Sequence, residues 1–231
     1  MQVDSFFRRA LVVAIMLPSF HAVRAGVPCV EDFGDVGSLT TRGWTIFNDS
    51  QPVGKTSWHQ GDWAIFPAQD GDADSYAAAD KDVTWGAPSL ISAWLVTPEM
   101  NFGPNEYSAK LLDFYARAQP EAVNRLVVRQ CAITAAETCD VPGDGLGGFT
   151  TVLVDINPNM VPNGFPSAWT EYYATPADGL LVAGHGRIAF HYYVFSQPDG
   201  SNGSYVGVDS VGIVGTTGCA FSEVVFEAGF D

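Results

Sequence analysis

The sequence predicts an all-β chain folded as a single β-sandwich domain, on three observations. Glycine, proline, aromatic and β-branched residues recur along its whole length. Apolar and polar residues alternate in short runs, and no stretch keeps the apolar period of about 3.6 residues over three turns that a long helix requires. Leu112, Phe114 and Ala116 alternate with Asp113, Tyr115 and Arg117; farther on, Leu126 and Val128 alternate with Arg125, Val127 and Arg129. Each run reads as a strand with one buried face, because successive side chains of a strand point to opposite sides. Further strands are predicted at Leu90–Val96, Phe149–Ile156, Trp169–Ala174, Gly186–Val194 and Tyr205–Val214. Many short strands separated by turn residues, with no linker between them, imply a sandwich.

At the N-terminus, Arg8 and Arg9 precede an apolar run from Ala10 to Leu17, followed by Pro18 and a polar stretch ending in Val23-Arg24-Ala25. Residues 1–25 therefore read as a secretory signal peptide cut before Gly26. Its apolar core is much shorter than the roughly 20 residues that span a bilayer, and no later stretch approaches that length. Residues 26–218 form the expected domain and 219–231 a short C-terminal tail. The expected location is secreted or extracellular, or the periplasm.

The formal net charge is −15; cleavage removes Arg8, Arg9, Arg24 and Asp4, a net of +2, and leaves −17. The remaining basic residues, scattered from Arg42 to Arg187, form no patch that could neutralise a run of phosphates. Nucleic acid is excluded as an expected partner, and anionic membrane surfaces are disfavoured. Cys29, Cys131, Cys139 and Cys219 all fall in the exported part, and an even count in an oxidising compartment implies two disulfides. Three pairings exist. Cys131 and Cys139 flank a short polar segment and can staple one loop, which leaves Cys29 and Cys219 to tie the two ends together. The spacings fit no paired C-x-x-C zinc pattern.

The order of Val30-Glu31-Asp32-Phe33, Gly43-Trp44, Thr56-Ser57-Trp58, Phe66-Pro67-Ala68-Gln69, Ser75-Tyr76, Trp94-Leu95-Val96-Thr97-Pro98, Leu153-Val154-Asp155-Ile156-Asn157, Arg187-Ile188-Ala189-Phe190 and Tyr205-Val206-Gly207-Val208-Asp209 resembles the choice-of-anchor J domain, a family related to the cleaved adhesin domains of bacterial surface proteins. The resemblance runs from about Cys29 to Val214. It implies a jelly-roll-like sandwich on an exported bacterial protein, a binding role, and no catalytic centre. The ending Val224 to Asp231 departs from the family's sorting tails, having neither an apolar span nor a basic cluster. Modules of this kind also lead to the expectation of a structural calcium ion where the first and last strands meet, held by Glu31, Asp32 and Asp209, with backbone carbonyls completing the shell. Asp70-Gly71-Asp72-Ala73-Asp74 resembles the start of an EF-hand loop. It departs from that pattern because Ser75 replaces the turn glycine and Lys81 the bidentate glutamate.

The expected function is adhesion or ligand binding, to a glycan or a surface protein, without catalysis. Trp63 and Trp85 stand in the polar stretches Gly61-Asp62-Trp63 and Thr84-Trp85-Gly86, where an exposed indole could stack on a sugar ring or anchor a partner. Trp44, Trp58, Trp94 and Trp169 read instead as core pieces. Among the histidines of the mature chain, His185 and His191 on one strand would sit roughly 20 Å apart, too far to share a metal. No G-x-S-x-G elbow surrounds any serine. The alternative is a secreted glycan-cleaving enzyme using a carboxylate pair drawn from Glu99, Asp113, Glu121 and Glu171.

Overall fold

The computed structural model describes residues 29–103, 110–140, 145–195, 203–217 and 221. Its strands, in chain order, are β1 (Cys29–Glu31), β2 (Thr45–Asn48), β3 (His59–Gln60), β4 (Ala77–Asp80), β5 (Leu90–Val96), β6 (Met100–Asn101), β7 (Leu111–Ala118), β8 (Leu126–Ile133), β9 (Thr151–Ile156), β10 (Thr170–Ala174), β11 (His185–Phe195) and β12 (Tyr205–Val214). They form two antiparallel sheets. The first runs β10-β7-β12-β4-β3 and the second β2-β5-β11-β8-β9. Each sheet has one long strand whose edge holds two short strands in line. On β12, β4 pairs with Tyr205–Val208 and β1 with Val211–Ile213; on β11, β5 pairs with Ala189–Phe195 and β6 with His185–Gly186.

Alternation places the core between the sheets. Along β7, Leu112, Phe114, Ala116 and Ala118 are buried inward, and the Phe114 ring meets Phe190 of β11 edge-on at 5.2 Å. β12 changes phase partway. Val206 and Val208 point into the core, a bulge intervenes with Ser210 at a φ of 51°, and beyond it Val211 and Ile213 face inward. An inserted residue on one strand shifts its alternation by one, so odd and even positions exchange faces.

The predicted strands over Leu90–Val96 and Tyr205–Val214 coincide with β5 and β12. The boundaries of three others need correction: β10 opens one residue after Trp169, β11 extends one residue at each end beyond Gly186–Val194, and β9 opens at Thr151. Phe149, predicted to open a strand, precedes β9 and plugs the outer side of the second sheet with Trp94, Val96 and the Cys131–Cys139 bridge. That bridge spans a Cα–Cα distance of 5.7 Å. Cys29 is also disulfide-bonded; its predicted partner Cys219 lies outside the described residues, as does the signal peptide predicted over 1–25. Among the described residues no helix is long and apolar enough to cross a membrane. Replacing Cys131 and Cys139 together by alanine is expected to lower the unfolding free energy by about 2–3 kcal/mol in denaturant titration, the loop-closure entropy of so short a ring.

Candidate ligand-binding site

The segment joining β3 to β4 is pinned to the first sheet at three places. At the first, the Asp62 N–H donates to the hydroxyls of Tyr76 and Tyr205, at 3.0 and 2.9 Å. Burial holds both phenols above the usual tyrosine range, so they stay protonated. Only glycine fits just before this point, since a Cβ on Gly61 would lie 2.2 Å from the Tyr76 ring. At the second, Phe66 stacks on Tyr76 and meets Trp169 and Tyr205 edge-on, while the Trp169 indole donates to the Pro67 carbonyl at 2.8 Å. At the third, the Asp209 carboxylate accepts the N–H groups of Gln69 and Asp70, at 2.7 and 3.4 Å. Between the first two pins the chain has no inward place for Trp63 or Ile65, and Trp63 is 68% exposed.

A second rigid segment follows β4. Asp80 caps a short helical turn over Lys81–Val83 by accepting the Asp82 N–H at 2.8 Å. The segment is tied back by Gly54 N–H to the Val83 carbonyl, Lys55 N–H to the Asp82 carbonyl, and the Thr84 hydroxyl to the Pro52 carbonyl. Trp85 projects from its end, 66% exposed. A pocket of about 180 Å³ joins the two segments. Ile65, two residues beyond Trp63, lines it together with Lys81, Asp82, Gln119 and Tyr205. Apolar faces beside carboxylate, ammonium, amide and phenol groups are what a sugar needs, because its ring stacks while its hydroxyls both donate and accept.

The remaining tryptophans are placed as the sequence suggested. Trp44, Trp58 and Trp94 are buried, and Trp169 is half-buried against Phe66 and Tyr76. His185 and His191 both lie on β11. His185 pairs with Glu99, while His191 is buried. Of the carboxylates considered for catalysis, the structure brings together Asp113 and Glu171, on paired strands β7 and β10. Burial, and then the charge of Glu171, raise the Asp113 carboxyl above its ordinary range. Glu121 sits apart in a turn, its N–H bound by Asn163.

The three predicted calcium ligands are not brought together. β1 does pair with β12, but Glu31 lies opposite Val211 and therefore faces the core, whereas Asp209 lies opposite Tyr115 on the outer face of the sheet. The bulge after Asp209 is the cause. Glu31 already accepts both guanidinium nitrogens of Arg42 and the Phe33 N–H. Both oxygens of Asp209 accept backbone N–H groups, those of Gln69 and Ser210 at 2.7 Å each. Asp32 is exposed and accepts the Gly34 N–H. These donors occupy the lone pairs a shared cation would need, so this trio does not fit calcium. A second cluster, Cys131, Glu137 and Cys139, offers no thiolate because the two cysteines are bonded to each other.

Comparison with protein-family models and with curated proteins finds no match. Among solved structures the chain is similar to the K2 cleaved adhesin domain of Lys-gingipain, with a TM-score of 0.51 and 16% identity over 81% of this chain and 99% of that one. The K3 cleaved adhesin domain of Lys-gingipain from Porphyromonas gingivalis w83 gives 0.48 and 16%, over 80% and 96%. A family 11 carbohydrate-binding module from Clostridium thermocellum gives 0.43 and 14%, over 81% and 95%. At such identities the likeness to K2 is one of fold, the β-sandwich.

Gln119 and Tyr205 of the pocket carry no local signal in the sequence. They reach it from distant strand ends, and only the sheet order of β7, β12 and β4 makes them neighbours of Lys81.

Proposed function

We propose that this chain is an exported, non-catalytic glycan-binding module of the choice-of-anchor J type, working at or outside the bacterial cell surface. One observation carries the reading: Trp63 and Trp85 are both largely exposed on segments that backbone and side-chain hydrogen bonds hold in place, and other residues of those segments, Ile65, Lys81 and Asp82, line a pocket of mixed polar and apolar character. Leaving two indoles in water forfeits burial worth about 2 kcal/mol each, a cost that a stacking ligand recovers. Fixed segments also spare the ligand the entropy of ordering them. K2 of Lys-gingipain is itself named a cleaved adhesin domain; the sandwich is shared, and the glycan reading rests on the tryptophans.

Replacing Trp63 and Trp85 singly by alanine is expected to weaken glycan binding by about tenfold or more each, measured by calorimetric titration, while the melting temperature shifts by no more than about 2 °C. A large loss of stability with unchanged binding would contradict the assignment. Export predicts a mature N-terminus at Gly26, read by N-terminal sequencing of protein recovered from the culture medium or periplasm.

A second reading has one observation in its favour. Burial, and then the neighbouring Glu171, raise the Asp113 carboxyl above its ordinary range, as the general acid of glycoside cleavage requires. If the pair were catalytic, reducing sugar would be released from a bound glycan and Asp113→Asn would stop it.

A further inference from the structure

The pocket lies where three neighbouring strands of the first sheet end. Tyr205 opens β12 and stands opposite Asp80, the last residue of β4. Two backbone bonds draw the flanking strands onto β12: the Lys81 N–H donates to the Ser204 carbonyl at 2.8 Å, and the Gln119 N–H, just past β7, to the Tyr205 carbonyl at 2.9 Å. Some polar groups of the pocket are spent on holding its walls. The Tyr205 hydroxyl accepts the Asp62 N–H, and Asp80 Oδ1 accepts the Thr56 hydroxyl and the Asp82 N–H, at 2.9 and 2.8 Å. Asp80 therefore positions Asp82 without being free to grip a ligand through that oxygen.

Other groups of the same pocket remain to be used. The Lys81 ammonium lies 3.3 Å from Asp82 Oδ1, with both side chains largely exposed. An ammonium carries three protons and a carboxylate two accepting oxygens, so each has more to offer than this one contact consumes. The Ser204 hydroxyl accepts the Asn124 amide at 2.9 Å, and its own proton has no acceptor among the described residues. The Gln119 side-chain amide likewise has no partner among the described residues. It comes from the β7 side, whereas Lys81 and Asp82 come from the β4 side, two strand spacings or about 10 Å away. Ile65 adds an apolar wall. At about 180 Å³ the cavity is well under the roughly 300–1,000 Å³ of sites that enclose larger organic ligands, which suits a single sugar ring.

We infer that the pocket selects one uncharged pyranose ring and grips it by two adjacent hydroxyls laid across the Lys81–Asp82 pair. A carboxylate only accepts and an ammonium only donates, while a hydroxyl does both. One hydroxyl of a vicinal pair can thus donate to Asp82 while its neighbour accepts from Lys81, and both contacts are strengthened by the charge. Gln119 meets a hydroxyl on the opposite edge of the ring, and Ile65 covers part of a C–H face. Acidic sugars are turned away, because Asp80 and Asp82 outnumber Lys81 in the lining and the chain carries a net charge of −15. An amino sugar is disfavoured by Lys81, which holds the place beside Asp82. Lys81 and Asp82 are then the residues that determine specificity. The inference rests on the reading of this pocket as a glycan site and adds the class of sugar and the groups that choose it.

NMR titrations of the full mature chain with the methyl pyranosides of glucose, galactose and mannose, and with glucuronate and glucosamine, test it. At least one neutral glycoside is expected to bind about tenfold or more tightly than either charged sugar. Its 3-deoxy analogue, which has no two adjacent ring hydroxyls left, should lose about tenfold or more. Lys81→Met and Asp82→Ala should each lose a similar factor while melting within about 2 °C of the parent, since both side chains are largely exposed. Tighter binding of glucuronate or glucosamine, full affinity for the 3-deoxy analogue, or full affinity in both variants would overturn the inference. If any of these occurs while glycans are still retained by the parent and lost in Trp63→Ala/Trp85→Ala, the glycan-binding reading stands and only the inference fails. If the parent binds no sugar at all, both fail.

Discussion

Replacing Arg42 by methionine is expected to cost about 3–5 kcal/mol of unfolding free energy, among the largest effects of any single substitution in this chain. Arg42 ends the first helical turn, Val36–Arg42, and its guanidinium bridges to Glu31 of β1 and to the Phe221 carbonyl, the latter at 2.6 Å. Phe221 in turn packs on Trp44. Removing the arginine leaves a buried carboxylate whose remaining donor among the described residues is the Phe33 N–H. Even with Arg42 in place, burial raises the Glu31 carboxyl above its ordinary range, because desolvation outweighs the guanidinium. The pair is thus expensive to break but adds little over an apolar pair. Glu31→Met/Arg42→Met should be at least about 2 kcal/mol more stable than Arg42→Met alone. Since the stranded carboxylate can take up a proton, the deficit of Arg42→Met should shrink as pH falls from 7 toward 4. A deficit independent of pH, with no recovery in the double variant, would mean that Arg42 acts through packing instead.

Asp209→Ala is expected to cost about 2–4 kcal/mol near pH 5. The substitution strands the N–H groups of Gln69, Asp70 and Ser210, each unsatisfied donor costing about 1–3 kcal/mol according to its burial. Burial pushes the Asp209 carboxyl up to about 6. A carboxyl raised on folding stabilises the protein fully below its unfolded value of about 4, and that contribution is lost as pH rises through 6. The Asp209→Ala deficit should therefore be largest near pH 4 and smallest above pH 7, in urea melts across that range. Asp209 also holds the far end of the segment that carries Trp63, so the variant should lose glycan affinity well beyond what its stability explains. Unchanged affinity would show that the Trp63 segment does not depend on this anchor.

Asp209 also marks where the sequence ceased to be legible. Its chemistry was readable and its direction was not. Parity along Tyr205–Val214 puts Asp209 and Val211 on one face, and the bulge at Ser210 separates them. An irregularity of one residue thus turned an expected calcium ligand into a loop anchor. Long alternating strands such as β7 were plain because half of each faces the core. β4, with Ala77, Ala78 and Ala79 buried on both faces, has no alternation to read, and the two-residue strands β3 and β6 are too short to carry a pattern. The sequence marked Arg129 as the polar side of a half-buried strand. In the structure Cys139, Leu146 and Phe149 pack with Trp94, Cys131 and Ala189 on that side of the sheet, and Arg129 is buried there. Trp63 and Trp85 were distinguishable from the core tryptophans by their polar neighbours. Their exposure is fixed by contacts from Tyr205 and Pro52, which adjacent residues do not reveal.

Incubating the purified mature chain on a glycan array, and analysing both the retained and the released sugars, tests the central claim most directly. A binding module predicts that a restricted set of glycans is retained with no released fragments, and that retention at the loop pocket is lost in Trp63→Ala/Trp85→Ala while that protein still melts within about 2 °C of the parent. Fragments released by the parent protein and abolished by Asp113→Asn, or retention indifferent to both tryptophans, would contradict it.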